Sequence, residues 1–197
     1  MINKIFKYSG LLGSLGTLLT IVVFSVLSPN YSQLTQTISE LNAKGVVNAT
    51  AMNICYSIAF LFLIIFALYF ISAKNDFAII SGILMIASVL LLISLNWFFP
   101  MDPWEGVRTL ADNVHSNVVT LAVCVFLLSQ IFASIYFLRT RQLKMKNITL
   151  LLFGISLFFG LLSLWSHIYQ SEVINIAERG WMVSFLSYIV IIALNIS

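Results

Sequence analysis

Few side chains in this sequence can do chemistry, and they gather near the ends of apolar runs. The chain holds 7 Asp and Glu, 10 Lys and Arg, and 2 His among 197 residues. Asp102, His115 and Glu178 form the candidate catalytic set, two carboxylates and an imidazole suited to general acid–base work. His115 follows Asp112 by three residues, so the two share a helix face and the carboxylate can orient the ring for base catalysis or metal ligation. Asp102 lies between Pro100 and Pro103 in Phe99-Pro100-Met101-Asp102-Pro103-Trp104-Glu105, where two helix-resisting residues force a turn. Asp before Pro also initiates turns with no further role.

Glu178 and Arg179 open the last apolar run. Adjacent helical residues diverge by about 100°, so each should address its own partner. Arg179 opposes the dipole of the helix it begins; Asp102 and Glu40 are the acids expected to compensate it. Ser39, Glu40, Arg179 and Trp181 are the candidate substrate-binding residues, with Arg179 and Ser39 suited to an anionic headgroup or a developing oxyanion. Trp181 is also placed for the aromatic belt of a membrane interface. Asp102, His115 and His167 are candidate ligands for a divalent metal that would activate water. Against all of these stands a structural reading, in which the same charges are an ion-pair network that locks helix ends together.

The elements that must carry these residues follow from composition. Of the chain, 60% is hydrophobic and 9% charged, with mean hydropathy +1.02. A soluble domain averages about 25% charged residues, so a water-soluble fold is excluded. Two cysteines make no disulfide framework and have no metal-ligand spacing, and the dilute charge of +3 excludes nucleic-acid binding. Six stretches are long and apolar enough to cross a bilayer, near 8–27, 50–72, 77–98, 114–138, 148–168 and 180–196. Runs such as Ile58-Ala59-Phe60-Leu61-Phe62-Leu63 do not alternate, which excludes a membrane β-barrel. The expected fold is all-α: a single six-transmembrane-helix bundle over 1–197, a polytopic membrane protein in contact with membrane lipids.

With both termini in the cytoplasm, the inner segments hold Lys4, Lys7, Lys74, Arg139, Arg141, Lys144 and Lys146, and the outer ones Lys44, Arg108 and Arg179. That bias sets the orientation in a cell membrane. Acids behave oppositely: Asp76 lies inside, while Glu40, Asp102, Glu105, Asp112, Glu172 and Glu178 lie outside. An outer polar site is therefore expected. Leu34, Ile38 and Leu41 have the spacing of one helix face before Gly45, which suggests a short amphipathic helix lying on or dipping into the outer interface. Asn113, Asn117, Thr120 and Cys124 suggest a polar line into the bundle from span four. Ser156, Gly160, Ser163, His167 and Gln170 form a stripe on span five whose lower part reads as close helix packing.

The ordered set Tyr31-Ser32, Ile38-Ser39-Glu40-Leu41, Phe99-Pro100-Met101-Asp102, His115, Glu178-Arg179 and Trp181 resembles the bacterial and archaeal domain-of-unknown-function family 998. The resemblance covers essentially the whole chain. It implies a six-span membrane fold and the positions of the site, but no reaction; Ser116 stands where family members often have Gly. Three accounts of function remain open. One is a metal-dependent, lipid-directed hydrolase or transferase, although no HExxH or GxSxG motif is present. The second is a small-solute binding or transport protein, and the third a non-enzymatic accessory protein whose cluster is structural.

Overall fold

The computed structural model describes residues 2–29, 31–102, 109–169 and 173–196, apart from the side chains of His167 and Ile168. Six helices follow one another: α1 (Ile2–Leu27), α2 (Ala49–Ser72), α3 (Asp76–Phe98), α4 (Leu110–Arg139), α5 (Leu143–Ile168) and α6 (Ile174–Leu194). Each is long and apolar enough to span a membrane. Helices are the economical answer here, because a helix bonds its own backbone polar groups where no water is available. The expected spans and these helices agree in number and order. Their ends differ where polar residues continue the helix beyond the apolar run, as in Leu110–Asn113 and Ile174–Arg179.

Local chemistry explains several boundaries. Asn75 caps α3, its side-chain oxygen accepting from the Phe77 and Ala78 amides at 3.1 and 3.4 Å. Thr109 and Asp112 form a reciprocal capping box that starts α4. The short links at 73–75 and 140–142 turn on Lys74 and Arg141, both in the left-handed region (φ 52° and 59°). Arg139 lies 4.9 Å over the Phe77 ring, tying α4 to α3 at that end.

Consecutive helices pack side by side, and α6 returns against α1 to close the ring. At Gly13 a Cβ would stand 2.9 Å from the Ala59 carbonyl oxygen, so α1 approaches α2 through a position only glycine fits. Gly82 plays the same part between α3 and α2, where a Cβ would meet the Ala67 carbonyl oxygen at 2.9 Å. The centre is aromatic: Phe126 on α4 contacts Phe185 and Tyr188 on α6 with ring centroids 4.6 and 5.5 Å apart. Helix α5 sits furthest out, with 17% of its span buried against 39–50% for the others.

Segments 31–48 and 99–102, with Thr109, Tyr169 and Val173, share one end of the bundle, opposite the start of α1 and the end of α6, and this end carries the polar residues. In place of the expected amphipathic helix through Leu34, Ile38 and Leu41, the segment forms turns and a short 3-10 helix over Ser39–Asn42. The three apolar residues do not share one face: Ile38 and Leu41 are buried, while Leu34 is 85% exposed. Two expectations are corrected. Asn113, Asn117 and Cys124 face outward, away from the bundle interior, because the buried face of α4 is the one through Asp112, His115, Ala122 and Phe126. Trp181 is no belt residue; it is buried against Phe126 and Phe185.

Candidate functional site

The segment 31–48 is the hub of the polar end, and it is pinned at three places. The first is α6. The Glu178 carboxylate accepts from the Ile38 amide at 2.7 Å and from the Ser39 hydroxyl, across 140 and 139 residues of chain. Arg179, one position on, points elsewhere, as the helix rotation requires. Its Nη1 donates to the Gln36 carbonyl at 2.8 Å and the Asn175 carbonyl at 3.2 Å, and its Nη2 to the Tyr31 hydroxyl at 2.8 Å. Tyr31 passes the bond on to the Thr37 carbonyl at 2.9 Å. The Asn175 side chain also donates to the Leu34 carbonyl.

The expected partners of Arg179 were Asp102 and Glu40, and the structure gives different ones. Glu40 instead holds the turn together, accepting from the Thr37 amide at 3.0 Å and the Gln36 side chain at 2.9 Å. Asp102 pairs with Lys44 at 2.6 Å, the one ion pair among the described residues. Backbone carbonyls and a phenol compensate Arg179, and sequence carries no signature for a backbone acceptor.

The second anchor joins segment 31–48 to the turn before α4. Besides the Lys44–Asp102 pair, the Lys44 amide donates to the Met101 carbonyl at 2.8 Å. Thr109 donates its hydroxyl to the second Asp102 oxygen at 2.7 Å, and the Asp102 amide donates to Asp112 at 3.0 Å. The other Asp112 oxygen takes the Thr109 amide at 2.9 Å. Lys44 first, then Thr109, hold the Asp102 carboxyl below its ordinary value. His115 Nδ1 lies 2.7 Å from the Phe99 carbonyl oxygen, fastening α4 to the end of α3.

The third anchor is a buried amide cluster that sequence reading missed. Asn42 donates to Asn53 at 3.2 Å and to Asn96 at 2.7 Å, and Asn53 donates to the Asn96 carbonyl at 2.9 Å. The available signal was an amide inside an otherwise apolar run, at Asn53 and again at Asn96.

The structure thus brings Ser39 and Glu178 into contact, sets Arg179 beside Tyr31, and buries Trp181 one turn below Glu178. It places Asp102 and His115 with separate partners around the start of α4. The His167 side chain and residues Trp104, Glu105, Arg108, Gln170 and Glu172 lie outside the described residues. Among the described residues, no three His, Cys, Asp or Glu side chains gather as a metal site. On Asp102 the Lys44 ammonium occupies the position a cation would take.

A lateral groove adjoins the first anchor. It runs between α5 and α6, has a volume of about 540 Å³, and is lined by Leu152, Ile155, Phe159 and Val183. Arg179 and Asn175 stand at its polar end. Gly180 keeps it open there, since a side chain at that position would strike the Phe159 ring.

Six apolar helices tied together by a polar cap define a multi-pass membrane protein. A family model described as "Protein of unknown function (DUF998)" matches residues 11–195, and the chain belongs to that family. No curated protein and no solved structure matches it.

Proposed function

We propose that this protein binds an anionic lipid, taking an acyl chain between α5 and α6 and the phosphate-bearing head at Arg179. One observation carries the reading: a guanidinium stands at the polar mouth of a mainly apolar groove that opens sideways from the bundle. A volume of about 540 Å³ falls within the range of small-molecule sites, roughly 300–1,000 Å³. Arg179 has five N–H donors, three of them engaged by Gln36, Asn175 and Tyr31. Among the described residues no carboxylate lies within ion-pair distance of it. Its charge and two donors remain for a ligand, and a guanidinium fork matches phosphate geometry.

Engagement of Asp102, Asp112 and Glu178 in internal bonds supports a holding role for these acids rather than catalysis or metal ligation. The basic residues Lys4, Lys7, Lys74, Arg139, Arg141, Lys144 and Lys146 on the terminal side support cytoplasmic termini. The groove mouth then faces the outer leaflet.

The test is native mass spectrometry of the purified protein with phosphatidylglycerol and phosphatidylcholine in competition. Preferential retention of phosphatidylglycerol is expected. Arg179→Gln should remove that preference, lowering retention about tenfold, the effect of about 1.4 kcal/mol. Val183→Trp, on the exposed wall of the groove, should lower retention of both lipids. An unchanged preference in Arg179→Gln overturns the proposal.

A further inference from the structure

Gln33 lines the lipid groove together with Arg179 and Asn175, and nothing above gives it a part. Its neighbour Leu34 is bonded through its carbonyl to Asn175, which sets Gln33 at the polar end of the groove. The side chain itself is tied to α1, where Nε2 donates to the Ser25 hydroxyl at 2.8 Å. That hydroxyl gives its own proton to the Val22 carbonyl at 2.8 Å, so towards Gln33 it can only accept. The amide is thereby held one way round, with Nε2 on Ser25 and Oε1 kept as an acceptor.

Asn175 cannot share this task, because both ends of its amide are committed: Nδ2 to the Leu34 carbonyl and Oδ1 to the Ile176 amide. Gln33 is exposed, and its Oε1 and second amide proton have no bond among the described residues. A hydroxyl both donates and accepts, so it matches that pair; an ammonium only donates. Charge points the same way. No carboxylate lines the groove among the described residues. An ammonium brought beside the Arg179 guanidinium would meet repulsion with no acid there to offset it.

We infer that Gln33 selects, among anionic lipids, for an uncharged hydroxyl-bearing head such as glycerol, its amide bonding the head hydroxyl while Arg179 holds the phosphate. The inference rests on the lipid reading above and adds what that reading leaves open, the group esterified to the phosphate.

The experiment is native mass spectrometry of the full chain with phosphatidylglycerol and phosphatidylethanol of matched acyl chains in competition. Both lipids carry one phosphodiester charge, and they differ in the head hydroxyls. The unaltered protein should retain phosphatidylglycerol about three- to tenfold over phosphatidylethanol, the worth of one hydrogen bond. Gln33→Leu should bring that ratio close to one. Equal retention by the unaltered protein overturns the inference, and so does an undiminished ratio in Gln33→Leu. Gln33→Glu supplies the acid that the groove mouth lacks, so phosphatidylethanolamine should gain on phosphatidylglycerol; absence of that gain also overturns it. The lipid reading is decided separately, by Arg179→Gln. A protein that prefers phosphatidylglycerol to phosphatidylcholine through Arg179, yet holds phosphatidylethanol equally well, loses the headgroup inference alone.

Discussion

Tyr31 stands between charges of opposite sign, and its surroundings decide its proton. Burial pushes the phenol up to about 12 from its ordinary 10.0, against the pull of the neighbouring Arg179 guanidinium. The folded chain therefore keeps this proton between about pH 10 and 12, where the unfolded chain releases it. Stability from this source is complete below pH 10 and is lost as pH rises through that window. Tyr31→Phe should flatten the fall in melting temperature across it, while costing about 1 kcal/mol at neutral pH through loss of the bond to Arg179. Asp102 has the opposite sign. Its carboxyl sits below the ordinary 3.8 because Lys44 and Thr109 bond the charged form, so its contribution is present above that value and fades as pH falls through the lowered one. Melting of Asp102→Asn should therefore be less sensitive to acid below about pH 4 than that of the unaltered protein.

At the scale of elements, close approach and clamping can be separated by substitution. Gly13→Ala forces a methyl against the Ala59 carbonyl and should destabilise the α1–α2 pair by about 1–3 kcal/mol. Gly154→Ala, with open space around it, should leave the melting temperature unchanged or slightly raised. Equal losses at both positions would refute the packing argument. Glu178→Ala should release the 3-10 turn from α6, raising amide hydrogen exchange at residues 36–42 about tenfold or more, the effect of losing a charge-assisted bond, while α3 and α4 keep their protection. The helices were legible because twenty apolar residues in a row admit few structures. Their ends were less so, since hydropathy does not register the Thr109–Asp112 capping box that starts α4 early. Ser39, Glu178 and Arg179 could be named as candidates from type and position, but their partners could not. Glu178 meets Ser39 across 139 residues, and Arg179 ends on carbonyl groups that every residue possesses.

For the molecule as a whole, an even number of helices returns the chain to the side where it began, and the short basic links at 73–75 and 140–142 share that side with both ends. The polar cap, with the 3-10 turn and the groove mouth, is consequently all on the opposite face. Two native cysteines offer a first check: Cys55 and Cys124 are exposed on helices α2 and α4, on surface that lipid covers in a bilayer. They should resist a membrane-impermeant maleimide in intact cells and react once the protein is unfolded in detergent. With both replaced by alanine, two single cysteines fix the orientation. Leu34→Cys places a thiol at an 85% exposed position of segment 31–48, and Arg141→Cys places one in the exposed link between α4 and α5. The basic bias requires the first to label in intact cells and the second only after permeabilisation. The reverse pattern would put the Arg179 groove mouth in the inner leaflet, and labelling of both from outside would break the six-span topology itself. Because lipid chemistry differs between leaflets, this result also decides which membrane face must supply the anionic lipid in the binding experiment.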